Sequence, residues 1–147
     1  MAKEILVREN LTNEMTDAGS DLLPRLDAAG FEVVAAFWLY YSEAEEWRLT
    51  LAWPEMNKKG PKNAYERIGK LLDETPENVP TLDLLNITVV SPDNTIVRAL
   101  ASANNLIALS GKRLSGNRLN GIYIEDIYIY FVKDSVKPLP GPRWISK

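Results

Sequence analysis

The sequence predicts an α+β domain: a mixed, mainly antiparallel sheet packed with three helices in the order αββαβαββ, followed by an extended Pro-rich tail. Three observations carry that reading. Apolar residues recur at helical spacing in separate segments, two alternating runs flank a short polar turn, and a long aromatic-rich strand closes the C-terminal third.

Leu11, Met15, Ala18, Leu22, Leu26 and Ala29 recur at spacings of four, three, four, four and three, which draws one apolar stripe along a first helix stopped by Gly30. Pro24 lies inside the stripe, where it removes a backbone donor and crowds the preceding turn, so the helix is expected to kink there or begin closer to it. Phe31 to Tyr41 reads as a strand with two apolar faces. Val33, Ala35, Phe37, Leu39 and Tyr41 are expected on one face, with Val34, Ala36, Trp38 and Tyr40 on the other, as in a strand covered on both sides. Ser42 to Glu46 is a polar turn, and Trp47 to Trp53 returns as the second arm of an antiparallel hairpin.

Asn57 to Lys62 reads as a polar loop containing Gly60-Pro61, after which Ala64, Tyr65, Ile68, Leu71 and Leu72 mark a second amphipathic helix that the Pro76 to Pro80 stretch ends. Asn86 to Val90 is a short β run. Ser91-Pro92-Asp93 then supplies an N-cap, a proline for the first turn and an acid for the dipole of a third helix reaching about Ala103, with Asn104 and Asn105 as its left-handed exit. Leu106 to Leu114 is weakly β, Ser115-Gly116-Asn117 and Asn120-Gly121 signal turns, and Ile122 to Val132 is a strong strand. Residues 1–133 are expected to form one domain. In 134–147, Pro138, Pro140 and Pro142 favour an extended tail, with Trp144 as an anchoring ring.

A chain of 147 residues, 46% hydrophobic and 25% charged, has material for one core. It contains neither cysteine nor histidine, which excludes disulfides, thiolate nucleophiles, the usual zinc ligand sets and imidazole acid-base chemistry. No Walker-type or Gly-x-Gly-x-x-Gly loop is present, and neither Ser-x-x-Lys nor Gly-x-Ser-x-Gly offers an activated serine. No cofactor and no metal site are expected. The Met1 to Asn10 segment is too charged for an export signal, and the longest apolar stretch, Val33 to Tyr41, is about half the ~20 residues that span a bilayer. A cytoplasmic protein without membrane segments follows as the expectation. Charge is uneven: residues 1–53 hold ten acids and four bases, a balance of -6, whereas residues 112–147 hold three acids and seven bases, a balance of +4.

The Asp27-Ala28-Ala29-Gly30-Phe31 helix exit, the Trp47-Arg48-Leu49 strand and the Lys59-Gly60-Pro61-Lys62 segment resemble a group of small uncharacterised bacterial α+β proteins. So do the Val90-Ser91-Pro92-Asp93 cap and the Gly121 to Tyr130 run with Ile124-Glu125-Asp126. The likeness spans most of residues 12–131 and implies bacterial origin and one shared domain. It assigns no functional residue.

Two constellations carry chemistry. Glu125 and Asp126 sit in the most apolar strand and are expected on opposite faces, so they cannot chelate one ion together. A carboxylate among apolar neighbours either has a raised pKa or meets a cation, and Arg48, Arg98, Arg113 and Arg118 are the candidate partners. Lys58, Lys59 and Lys62 precede the second helix, where free N-H groups favour an anion such as phosphate or a nucleotide. Aromatic residues on the strands would suit stacking with nucleic acid, but a net charge of -3 makes nucleic acid an improbable partner. The leading expectation is a non-enzymatic binding or protein-interaction module, with a homodimer or another protein as partner. The alternatives are a small enzyme or ligand-binding protein using Glu125 and Asp126 with an arginine, and an anion binder at Lys58 to Lys62.

Overall fold

In a computed structural model, residues 10–103 and 109–139 are described. They form α1 (Asn13–Ala28), β1 (Ala35–Tyr41), β2 (Glu46–Ala52), α2 (Met56–Asp73), β3 (Ile87–Val90), α3 (Thr95–Ala101), β4 (Lys112–Leu119) and β5 (Ile122–Val132), in the expected order. The expected exit at Asn104 and Asn105, the start of the Leu106 run, the Met1 to Glu9 segment and Trp144 lie outside the described residues.

The described strands make one mixed sheet in the order β3-β2-β1-β5-β4. Only β2 and β3 run parallel; the neighbours of β1, and the β4–β5 hairpin, are antiparallel. β1 is central because every residue from Ala35 to Tyr40 is buried, which requires a strand on each side and a layer on each face. One face carries Trp38, Trp47, Leu49, Leu51 and Trp53 against Leu22 and Leu26 of α1 and Ile68 of α2. The opposite face carries Phe37, Leu39, Ile127 and Ile129 against Val97 and Leu100 of α3.

Polar pins orient the helices on this sheet. The Tyr130 hydroxyl donates to the Thr16 carbonyl at 2.6 Å and accepts from Trp38 Nε1 at 3.0 Å, which ties α1 to β1 and β5. Burial pushes that hydroxyl up to about 12, so it stays a donor throughout the physiological range. A Cβ at position 19 would collide with the Tyr130 hydroxyl, so Gly19 is what lets the helix approach. Arg25 joins the two helices by donating to Thr75 Oγ1 at 2.7 Å and to the Leu71 carbonyl at 2.6 Å.

Several local expectations are corrected. α1 runs through Pro24 as one element; Ser20 and Pro24 are both exposed, so the carbonyl that loses its donor lies on the solvent side. β1 starts at Ala35 rather than Phe31, with a bend at Val34. That bend exchanges the faces of the preceding pair: Val33 packs with Trp38 and Val34 with Phe37. Asn57 to Lys62 is helical, interrupted only at Gly60, whose φ of 83° and ψ of 165° reflect the bias that Pro61 imposes on the residue before it.

Asn94, not Ser91, caps α3: its Oδ1 accepts from the Ile96 and Val97 amides at 2.9 and 3.1 Å, while Ser91 Oγ accepts from Asp93 in the turn before it. Ser115-Gly116-Asn117 lies inside β4 rather than in a turn. Gly116 has φ +62°, and Ile124 joins Ile127 and Ile129 in one cluster although strict alternation forbids it. The Ser115–Asp126 and Asn117–Ile124 pairs bracket that change of phase, so Gly116 and Glu125 mark where it occurs without a register shift. Asn120 and Gly121 both take positive φ, as a two-residue hairpin turn demands. The first tail residues are docked. Val136 is buried, and Arg98 of α3 donates to the Lys137 and Pro138 carbonyls at 3.1 Å each.

Candidate functional site

Asp126 lies on β5 opposite Ser115 of β4, with its side chain 8% exposed. Arg113, one of the four candidate arginines, meets it in a two-pronged clasp: Nε to Oδ1 at 3.0 Å and Nη2 to Oδ2 at 2.9 Å. Ser115 Oγ donates to Oδ1 at 3.0 Å. The clasp exists because β4 and β5 pair in a register that brings residues 113 and 115 beside 126, and the planar guanidinium matches both carboxylate oxygens. The guanidinium also lies 5.1 Å from the Trp47 ring centroid, where the indole face favours a cation. The hydrogen bond that Arg113 donates to Asp126 raises the Arg113 pKa above its ordinary value, partly offset by burial. The guanidinium therefore keeps its charge over the ordinary pH range. Glu125 is half-buried on the neighbouring position, at the phase change opposite Gly116.

The three lysines are divided by the break at Gly60. Lys58 and Lys59 belong to the first helical turn of α2, and Lys62 to the first turn after the break. Lys59 Nζ is 3.3 Å from Glu55 and Lys62 Nζ is 3.9 Å from Glu66, each an i,i+4 pair. Those acids reduce the positive field that an anion would meet.

Among the described residues, cavities open to solvent include a pocket and a groove. A pocket of about 240 Å³ lies between the end of α1 and the start of β1, with Leu23, Phe31, Val33 and Phe131 as its apolar wall and Asp27 and Lys133 at its rim. A wider, shallower groove of about 470 Å³ lies between α2 and Leu84, just before β3. Tyr65, Gly69 and Leu84 form its floor. Lys62, Glu66, Lys70 and Asp73 form its charged rim, in a sign order of plus, minus, plus, minus along the helix. Leu85, next in sequence to the floor residue Leu84, is 83% exposed. Neither Glu125 nor Asp126 lines either cavity.

Of the residues singled out from the sequence, the structure joins Asp126 to Arg113 and places Lys62 on the groove rim. It does not bring Lys58, Lys59 and Lys62 together with the carboxylates. Sequence reasoning missed the groove. Its signal was present as Lys62, Glu66, Lys70 and Asp73, spaced four, four and three, which is a single charged stripe on a helix. No helix among the described residues is long and apolar enough to cross a membrane. No family model, no curated protein and no solved structure matches this chain.

Proposed function

We propose that this chain is a non-enzymatic protein-interaction module that docks partners in the groove between α2 and Leu84. The observation that supports this reading is the groove itself: an apolar floor and a rim of alternating charge. An open, shallow surface of that kind suits a protein face better than a small substrate, which binds where most of its area can be buried. The buried carboxylate favours the same reading, since Asp126 is held by Arg113 and Ser115 within the strand layer. A cysteine-free chain supports a cytoplasmic setting, and the resemblance noted from the sequence supports a bacterial source.

Amide chemical-shift mapping tests this. Bacterial extract added to the isotopically labelled chain is expected to move the amides of Tyr65, Gly69, Leu84 and Leu85. A library of small phosphates and carboxylates is expected to leave Arg113, Ser115 and Asp126 in place. Saturable shifts at those three residues, with none in the groove, would replace the interaction module by a small enzyme or ligand-binding protein.

A further inference from the structure

We infer that the partner on α2 is a second copy of this chain, related by a twofold axis; this rests on the interaction reading above and names its occupant. The argument is charge complementarity. When a helix crosses its own copy antiparallel about a twofold axis, residues pair symmetrically about that axis, and the same patch serves on both sides. An axis beside Arg67 and Ile68 sets Lys62 against Asp73 of the other copy and Glu66 against Lys70. The symmetry then repeats both contacts. The rim thus forms four opposite-charge pairs and no like-charge pair, an outcome a stripe of uniform sign could not give.

The floor fits as well. Gly69 lies about one residue from the axis and faces Leu84, whose side chain is 3.6 Å from where a Cβ would stand, so the two form one shallow apolar floor at the centre of the rim. Residues 61–73 span about 20 Å, enough for the whole rim to engage. Leu84 lines the same groove and would be covered by the copy. The pairs are available for this. Lys62 and Glu66 are 89% and 67% exposed, and their contact within one helix is loose at 3.9 Å. Exposed pairs of this kind contribute little each and are screened by salt, so the dimer is a weak one.

Sedimentation of the full chain from micromolar to millimolar concentration, at low and high salt, tests the inference. A monomer–dimer equilibrium that weakens with salt is expected. Glu66→Lys or Lys70→Glu alone should weaken self-association about tenfold, because each turns two attractions into repulsions. The double exchange Glu66→Lys with Lys70→Glu should return it to within about threefold of the parent, since the charges again complement. Circular dichroism confirms that these surface variants fold. A monomer at every concentration overturns the inference, as does a dimer indifferent to both single changes or one that the double exchange fails to restore. A chain that stays monomeric while extract still shifts the groove amides loses the second copy but keeps the interaction module. A chain that shows neither loses both.

Discussion

Among the described strands, β3 finishes one end of the sheet with four residues and a tyrosine, whereas β4 finishes the other with eight residues and three cations. On the β3 side, the Val89 amide donates to the Tyr65 hydroxyl at 2.8 Å, so α2 occupies a backbone group that another strand would seek. On the β4 side, Lys112, Arg113 and Arg118 project from a strand that Gly116 takes out of regular alternation. Like charge and irregular geometry both discourage edge-to-edge pairing. One edge is closed by packing and the other is guarded by charge.

Four measurements sharpen or break this contrast. The largest effect belongs to the closed half: Phe37 of β1 is 0% exposed, and Phe37→Ala should cost about 3 to 5 kcal/mol in denaturant melts. A loss under about 1 kcal/mol would show that β1 is not the packed centre of the sheet. Next is the β4–β5 arm, where Arg113→Ala removes a two-pronged clasp from a mostly buried carboxylate and should cost about 2 kcal/mol. Amide exchange should then accelerate in β4 more than in β1. Equal acceleration in both would make the arm part of the same cooperative unit.

At the β3 edge, Tyr65→Phe deletes the hydroxyl that the Val89 amide meets and should cost about 1 kcal/mol. Faster exchange of the Val89 amide is the accompanying sign, and an unchanged rate would mean that α2 does not close this edge. The smallest effect concerns Thr50, which is buried in β2 with no hydrogen-bond partner for its hydroxyl among the described residues. Thr50→Val should leave stability unchanged or raise it by up to about 1 kcal/mol, and a clear loss would reveal a partner for that oxygen.

The sequence carried the fold further than the site. Apolar spacing placed all three helices and four of the strands in order, because a period of 3.6 or 2 residues is a local property that survives in one dimension, whereas β4 falls at Lys112–Leu119 rather than at Leu106 to Leu114. It located β5 at its true bounds, and Asn120-Gly121 marked its hairpin because both positions need positive φ. Errors collected where one residue's conformation depends on what it touches. Gly116 resembles a turn residue until β5 pairs across it, and Ser91 resembles a cap until the nearer Asn94 takes the helix amides.

What the sequence determined by itself was therefore the inventory: one α+β domain, its element order, the excluded chemistries and the short set of arginines that could meet a buried acid. Which arginine met Asp126 was a matter of the β4–β5 register, and the groove required α2 to lie with Tyr65 inward and Leu84 beside Gly69. Such contacts join residues distant along the chain, at separations fixed by packing rather than by any repeating pattern, so only the tertiary structure could decide them.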